Sequence, residues 1–483
     1  MQNSPQPSLY WYDYETFGAD PRRDRPVQFA GIRTDLDLNI LGAPLTLYCR
    51  PSDDFLPHPE ACLITGITPQ KALAEGVPEA EFIRRIHNEF SRPRTCIVGY
   101  NNIRFDDEVT RFTLYRNFYD AYAHEWQNGN SRWDIIDMLR LTHALRPEGI
   151  NWPINGEAKT SFRLDQLTVA NHIEHGSAHD ALADVEATIA MAKLIRQRQP
   201  RLYDFVFNHR GKQQVLELLQ IHNPAPVVHV SSMYQAEQGC IALVLPLCMH
   251  PSNKNEVLVY DLRIDPQAYL QLDVDAIQQR LFTRTDELPE GMQRLPVKGV
   301  HINKCPVVVP ANTLTPEAAE KWGINLEAAE KYQERLVNAR NFIRNLQSAY
   351  GKRQFENSND PDLMLYEGGF FSNDDRTRMD VVRHSAPESL AKLDLPFEDR
   401  RLPEMLFRYR ARNYPQMLNA GEKQQWNEFR RHRLLETSDT SALTLATFSE
   451  HIVRLRNSMQ LDAKQQQILA ALEEYADTLS ASL

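Results

Sequence analysis

Residues 11–20 read WYDYETFGAD, an apolar and aromatic run that carries two carboxylates, Asp13 and Glu15, one residue apart. Successive strand side chains alternate faces, so a strand here projects Asp13 and Glu15 the same way. Two like charges side by side repel unless something positive stands between them. Alone, a D-x-E pair is a weak signal, and two surface carboxylates near a strand end are its ordinary alternative. The fold turns on what that positive partner is.

The surroundings of the pair read as α/β. SLYWYDYE, PVQFAGIRTD and APLTLYCRP have strand composition, are joined by short turns such as DLDLN, and are followed by a further apolar run, CIVGYNN. Helical periodicity predicts helices over 105–119, 133–145, 163–173 and 179–198, the last with Ala181, Val185, Ile189, Ala192 and Ile195 on one face and Pro200 as its stop. From about 202 to 350 the pattern changes to short β-like runs, VVHVSSM, CIALVLPLCM, EVLVYDL and HINKCPVVV, closed by a helical stretch over 316–350. That composition predicts a small barrel or sandwich. GKRQFENSNDPD at 351–362 is the best linker candidate, and 363–483 is mostly helical in pattern.

Composition sets the bounds. A chain of 483 residues is too long for one core and suggests two to four domains. Apolar content of 42% with 24% charged residues is that of an ordinary globular protein. No run approaches the ~20 apolar residues of a membrane span, and MQNSPQPS lacks the features of a secretion signal. The six cysteines include no CxxC pair, which predicts reduced thiols in a cytoplasmic protein. A net charge of −10 argues against non-specific coating of nucleic acid, although RRDR at 22–25, RQRQPR at 196–201, RYRAR at 408–412 and RRHR at 430–433 are local basic clusters. No heptad pattern or spare apolar stripe stands out, so a monomer is expected.

Three more places in the first 200 residues bear on the carboxylate pair. YNNIRFDDEVTR sets Asp106 after an apolar strand and near a helix start, where a carboxylate also suits the helix dipole. SAHDALADVEATIAMAKL sets His179 five residues before Asp184. Five helical residues turn about 500°, so the two cannot share a helical face. Should both reach one site, His179 must come from the preceding loop or first turn. Ser177 with Asp180 resembles a capping box, which leaves a cap role open for His179.

In order, spacing and element type, Asp13, Glu15, Asp106, His179 and Asp184 resemble the DEDD exonuclease superfamily in its histidine-containing branch. Longer strings are more specific. DYETFG, RPVQFAGIRTD, LITGITP, NNIRFDDEVTR, NSRWD, LRPEGINWP, SFRL, AHDALADVEATIAMAKL, HINKCPVV and LFRYRARNYP resemble bacterial exonuclease I, a single-strand-specific 3′-to-5′ deoxyribonuclease. The resemblance covers nearly the whole chain and is sparse over 311–360 and beyond 420. It implies a ribonuclease H-like exonuclease domain over 1–200 (a mixed sheet flanked by helices), a Src-homology-3-like β-barrel with a helical extension over 201–352, and an all-helical carboxy-terminal domain over 356–483.

The resemblance also supplies the positive partner. Two magnesium ions, with manganese able to substitute, would be held by Asp13, Glu15 and Asp184, with Asp106 in the catalytic set. Hard cations select oxygen ligands, and a pair about 3.5–4 Å apart suits phosphodiester hydrolysis. His179, with an ordinary pKa of ~6.5, suits a general base.

A single strand needs cations at its phosphates and aromatics under its bases. The stretch 104–140 offers Arg104, Arg111, Tyr115, Arg116, Tyr122, Trp126, Arg132, Trp133 and Arg140. The resemblance favours Arg111, Tyr122, Trp126 and Arg140 as contacts and Arg163 of SFRL as substrate-binding. Glu15 would also touch substrate. Thr65 and Gly66 could present backbone amides to the terminal nucleotide or simply form a turn. The family also binds the acidic tail of single-strand DNA-binding protein, for which Arg146 and Arg201 are candidates. The expected activity is thus processive degradation of single-stranded DNA to 5′-mononucleotides, in DNA repair and recombination. An exoribonuclease or proofreading exonuclease shares the same five residues, and a non-catalytic DNA-binding scaffold is the third reading.

Overall fold

The computed structural model describes residues 5–157, 159–176, 179–351, 358–436, 442–458 and 460–483. Two compact units are each built from segments distant in sequence. One holds residues 1–131, 175–186 and 357–483, and the other 132–174 and 187–356.

In the first unit, β1 (Ser8–Thr16), β2 (Pro26–Thr34) and β3 (Leu45–Tyr48) form an antiparallel run. α1 (Pro59–Thr65), α2 (Pro69–Glu75) and α3 (Glu79–Phe90) lead to β4 (Thr95–Gly99), which lies parallel to β1 on its other side. The strand order is therefore β3-β2-β1-β4, a mixed sheet with β1 inside it. One face of β1 carries Tyr10, Tyr12 and Tyr14, packed with Phe29, Phe82, Ile83, Ile86 and Phe90. Alternation assigns Trp11, Asp13 and Glu15 to the opposite face. α4 (Asp106–Arg116) starts just beyond the carboxyl end of β4 and is buried almost throughout.

The second unit opens with β5 (Ser131–Asp134) and α5 (Ile136–Leu145), then α6 (Leu164–Ala170). The periodic apolar residues predicted a helix from 133, but Arg132, Trp133 and Asp134 are extended and the helix begins at Ile136. α7 (Ala181–Arg198) belongs to the first unit at its start and to the second beyond Glu186. Pro200 ends α7 as expected, yet it also opens α8 (Pro200–Asn208), because proline at a first helical position forfeits no hydrogen bond. α9 (Lys212–Leu219) follows.

β6 (Val227–Val230), β7 (Ile241–Met249), β8 (Glu256–Asp261), β9 (Val297–His301) and β10 (Val308–Pro310) form an antiparallel sheet in the order β10-β6-β7-β8-β9, with α10 (Val274–Phe282) between β8 and β9. The single run HINKCPVVV is divided between the end of β9 and β10. One face supplies a valine-rich core, including Val227, Ala242, Val244, Val257, Val259 and Val300, over which Val215 and Leu219 of α9 close. α11 (Pro316–Lys321), α12 (Leu326–Val337) and α13 (Arg340–Gly351) occupy the predicted helical stretch.

The chain then rejoins the first unit with α14 (Asn373–His384), α15 (Arg401–Asn413), α16 (Ala420–Arg431), α17 (Leu445–Ser458) and α18 (Ala463–Ala481). α17 and α18 bury Phe448, Ile452, Leu469 and Leu472 in one core with Phe17, Val27, Cys62 and Ile67. Of the expected linker 351–362, residues 352–357 lie outside the described residues, and the rest is not loose. Asp362 is buried and pairs with Arg408 at 3.0 Å and Arg412 at 2.7 Å. None of the six cysteines forms a disulfide, and no helix among the described residues is long and apolar enough to cross a membrane.

Candidate active site

β1 carries the first two carboxylates, and its register sets their neighbours. Asp13 lies opposite Ala30 and Glu15 opposite Gln28 on β2. Asp106, at the start of α4, accepts a 3.3 Å hydrogen bond from the Tyr14 amide, which ties it to the same strand. Its neighbour Asp107 points elsewhere, taking hydrogen bonds from the Tyr12 hydroxyl at 2.5 Å and from Asn102 at 3.1 Å. Asp106 is therefore the member of that pair whose charge reaches Asp13.

Asp184 arrives from the first turns of α7. Asp180 caps that helix, its side chain accepting from the amides of Leu182 and Ala183 at 3.2 and 3.3 Å. Ser177, the other half of the expected capping box, lies outside the described residues. Gln28 ties the cap to β2, donating to Asp180 at 3.3 Å while accepting from the Ala181 amide at 3.4 Å. His179 sits before the helix with φ +65, a left-handed conformation unusual for a non-glycine residue. It is exposed, and its amide donates to Asp184 Oδ2 at 3.2 Å. His179 thus comes from the turn, as the five-residue spacing required.

The charges converge. Burial, then Asp106, Glu15, Asp184 and Asp180, pushes the Asp13 carboxyl well above the usual range. Burial, then Asp184, Asp106 and Asp180, pushes Glu15 up to about 9. Burial also raises Asp184, against the lowering influence of His175 and His179. Glu15, His179 and Asp184 each offer a ligand atom within 4.8 Å of the others. Buried carboxylates that raise one another's pKa fit a divalent cation in chemistry and in placement, since such an ion removes the repulsion. The groups that would hold it are Asp13, Glu15 and Asp184.

One residue of the site carries no sequence signal. His175 Nε2 lies 2.8 Å from Asp184 Oδ1, nine residues away along a loop where no periodicity applies.

The expected strand contacts fall into two groups. In the first unit, Arg111 is buried and its fork is occupied, donating to Glu125 and Glu108 at 2.6 Å each and to the Tyr366 hydroxyl at 3.2 Å. It also lies 5.5 Å over the Tyr122 ring. Tyr122 in turn neighbours Tyr366 and Phe370, with ring centroids 6.4 and 6.3 Å away. Trp126, Tyr366 and Phe370 are 64, 51 and 83% exposed. Tyr366 and Phe370 extend the aromatic surface beyond the stretch 104–140, and only the long-range fold brings them there. Tyr115 and Trp133 are core residues instead. Gly66, at φ +70, spends its amide on the Cys62 carbonyl as the end of α1, and the Thr65 hydroxyl accepts from the Ile67 amide. The ordinary turn accounts for the Gly66 amide, which is not free to meet a nucleotide.

In the second unit, Arg140 pairs with Asp137 at 2.5 Å and lies 5.7 Å over the Phe162 ring. Arg163 precedes α6 and is largely exposed, held loosely by Asp165 at 3.1 Å. Arg146 donates to the carbonyls of Leu145 and Thr313, and Arg201 is exposed at the start of α8.

Comparison with known proteins agrees with this geometry. Family models described as Exonuclease, Exonuclease I SH3-like domain and Exonuclease I C-terminal domain match residues 10–192, 210–352 and 359–479. Exodeoxyribonuclease I of Escherichia coli K12 is 46% identical over 481 residues, 99% of this chain and 100% of the relative. The crystal structure of E. coli exonuclease I in complex with a dA16 oligonucleotide superposes with a TM-score of 0.94 at 47% identity, covering 98% of this chain and 100% of that one. A crystal structure of SSB/exonuclease I in complex with an inhibitor does so with a TM-score of 0.90 at 46% identity, covering 98 and 100%. An acidic cluster on a mixed sheet, an SH3-like domain and a helical carboxy-terminal domain occur together here over the full length, and the chain belongs to the exonuclease I family of phosphodiester-cleaving enzymes.

Proposed function

We propose that the chain degrades single-stranded DNA processively from its 3′ end, releasing 5′-mononucleotides, with magnesium as its metal. The observation that carries this reading is the meeting of Asp13, Glu15, Asp106 and Asp184 beside His179. The oligonucleotide bound to the E. coli relative supports the substrate. Divalent ions held by Asp13, Glu15 and Asp184 would neutralise charge on the attacking and leaving oxygens. Glu15 also faces the substrate, and Asp106 completes the acidic wall. His179, exposed beside Asp184, takes the proton from the attacking water. Across the rest of the protein, Arg111, Tyr122, Trp126, Arg140 and Arg163 guide the strand, with Thr65 at its terminal nucleotide. Arg146 and Arg201 are proposed to meet the acidic tail of single-strand DNA-binding protein, supported by the SSB complex of the relative.

In this reading the sequence domains are 1–200, 201–352 and 356–483, and the chain works as a cytoplasmic monomer in repair and recombination. The test is degradation of matched DNA and RNA oligonucleotides, single- and double-stranded, with magnesium or with EDTA. Magnesium-dependent loss of single-stranded DNA from its 3′ end is expected. Faster loss of RNA would favour the exoribonuclease reading, and binding without cleavage would favour the scaffold.

A further inference from the structure

A second cluster of metal-ligating side chains shares no residue with the acidic site. His58 is the residue before α1, with its amide bound to the Phe17 carbonyl at 2.7 Å, and Glu60 stands in the first turn of that helix. His451 faces them from α17. One ligand atom from each lies within 4.8 Å of the other two. His451 Nδ1 is 3.5 Å from Glu60 Oε1, and the two imidazole rings are 6.4 Å apart at 61°.

Their surroundings are closely packed. Phe448, Ile452 and Leu455 of α17 are buried in the same core as Cys62 and Ile67, so apolar side-chain packing sets the trio side by side before any ion binds. The side chains at the rim keep partial exposure, 33% for His58, 43% for Glu60 and 28% for His451, which leaves an entry path. His451 Nδ1 is nevertheless buried and makes no hydrogen bond among the described residues. A polar nitrogen left without a hydrogen bond costs free energy that a ligand would recover. An oxygen of the Asp24 carboxylate lies 3.9 Å from His58 Nε2, a charge contact longer than a hydrogen bond.

We infer that His58, Glu60 and His451 form a binding site for a divalent transition-metal ion of the zinc class, which clamps α17 onto α1. Two imidazoles and one carboxylate select zinc-class ions, whereas magnesium selects oxygen. Ligand atoms around zinc, at bonds of ~2.0–2.1 Å, stand about 3.3–3.4 Å apart. The Glu60–His451 pair already has that spacing, and small side-chain rotations close the rest. The three protein ligands leave a fourth position for water. The ion joins residues almost 400 positions apart in sequence, so it ties the carboxy-terminal helices to the amino-terminal region.

The test uses the full chain with Asp184→Asn, which weakens uptake at the acidic site, stripped with chelator and dialysed against zinc chloride alone. One tightly bound equivalent is expected, together with a rise in the unfolding midpoint. His451→Ala should weaken that uptake by ~100-fold or more, beyond the 10–100-fold typical of an outer partner, and remove the zinc-dependent rise. His58→Gln, at a more exposed position, gives the same result where the alanine variant folds poorly. Cobalt chloride should produce visible absorption in the parent and not in either variant. Unchanged zinc uptake in both variants, or no bound equivalent in the parent, would overturn the proposal.

Discussion

His175 Nε2 lies 2.8 Å from one oxygen of Asp184, and the His179 amide reaches the other at 3.2 Å. The carboxylate is therefore fixed at both oxygens, one by a side chain and one by backbone. An outer partner of this kind orients a ligand without touching the reacting atoms. His175→Ala is expected to raise the magnesium concentration for half-maximal activity and lower turnover by ~10–100-fold, with recovery at high magnesium. His179→Ala, which removes the proposed base, should lower turnover by ~10²–10⁴ with no such recovery. Titration of magnesium against rate for the two variants separates the roles. Equal recovery in both would make His179 a positioning residue as well.

Glu15 gives a pH dependence of definite sign. Burial and the neighbouring Asp184, Asp106 and Asp180 hold its carboxyl at about 9 in the folded chain, against 4.5 for the free group. A raised carboxyl pKa means that the folded state prefers the proton. Its contribution therefore favours folding below pH 4.5 and is lost as the pH climbs from there to about 9. Glu15→Gln should raise the unfolding midpoint of the metal-free chain at pH 8, by ~1–2 °C for each kcal/mol of repulsion relieved in a chain of this size, and have less effect at pH 5. The same change should abolish turnover. Thermal unfolding in EDTA at the two pH values is the measurement. A lowered midpoint at pH 8 would mean that Glu15 has a positive partner without any metal.

The acidic site was legible because its signals are local. Alternation placed Asp13 and Glu15 on one face of β1, and the spacing of His179 from Asp184 required the turn where His179 is found. What escaped depends on long-range packing. His175 has a loop position with no period to betray it. Tyr366 and Phe370 meet Tyr122 only through the docking of the carboxy-terminal segment. Trp133 and Asp134 of SRWD fall within the predicted helix 133–145, because four residues are too few to establish a strand period against Ile136, Leu139 and Leu145. The polar run 358–362 has the composition of a linker, but its acids are drawn inward by Arg408 and Arg412.

Those arginines make the next prediction. Arg412 donates to Asp54 at 2.9 Å and Asp362 at 2.7 Å, and all three side chains are almost fully buried. Burial alone would raise both carboxyls, but Arg412, with Arg433 and Arg25 for Asp54 and with Arg408 for Asp362, holds them below the usual range. Arg412→Ala leaves two buried carboxylates short of a partner and should cost about 3–5 kcal/mol. Depressed carboxyl pKa values stabilise the fold above the free-group pKa of 3.8 and lose that contribution as the pH falls further. The stability gap between parent and variant, followed by denaturant unfolding, should accordingly narrow below about pH 4. A gap independent of pH would assign the loss to packing rather than charge.

Phe370 offers a test of strand guidance that leaves the chemistry untouched. Its ring is 83% exposed and 6.3 Å from that of Tyr122, which Arg111 covers at 5.5 Å. An exposed phenylalanine gains nothing from the core, whereas a base stacked on it is worth ~1–3 kcal/mol. Phe370→Ala should therefore weaken binding of single-stranded DNA by roughly 5–150-fold, from the same stacking energy, and shorten the product released per encounter. Turnover at saturating DNA should stay near that of the parent. Stacking carries no charge, so the salt dependence of binding should not change, whereas loss of a phosphate contact such as the one proposed for Arg163 should flatten it by about one ion. Anisotropy titrations of a labelled strand at several salt concentrations distinguish the two. A Phe370→Ala variant with parental affinity would move the strand path away from Tyr122 and onto the cationic residues alone.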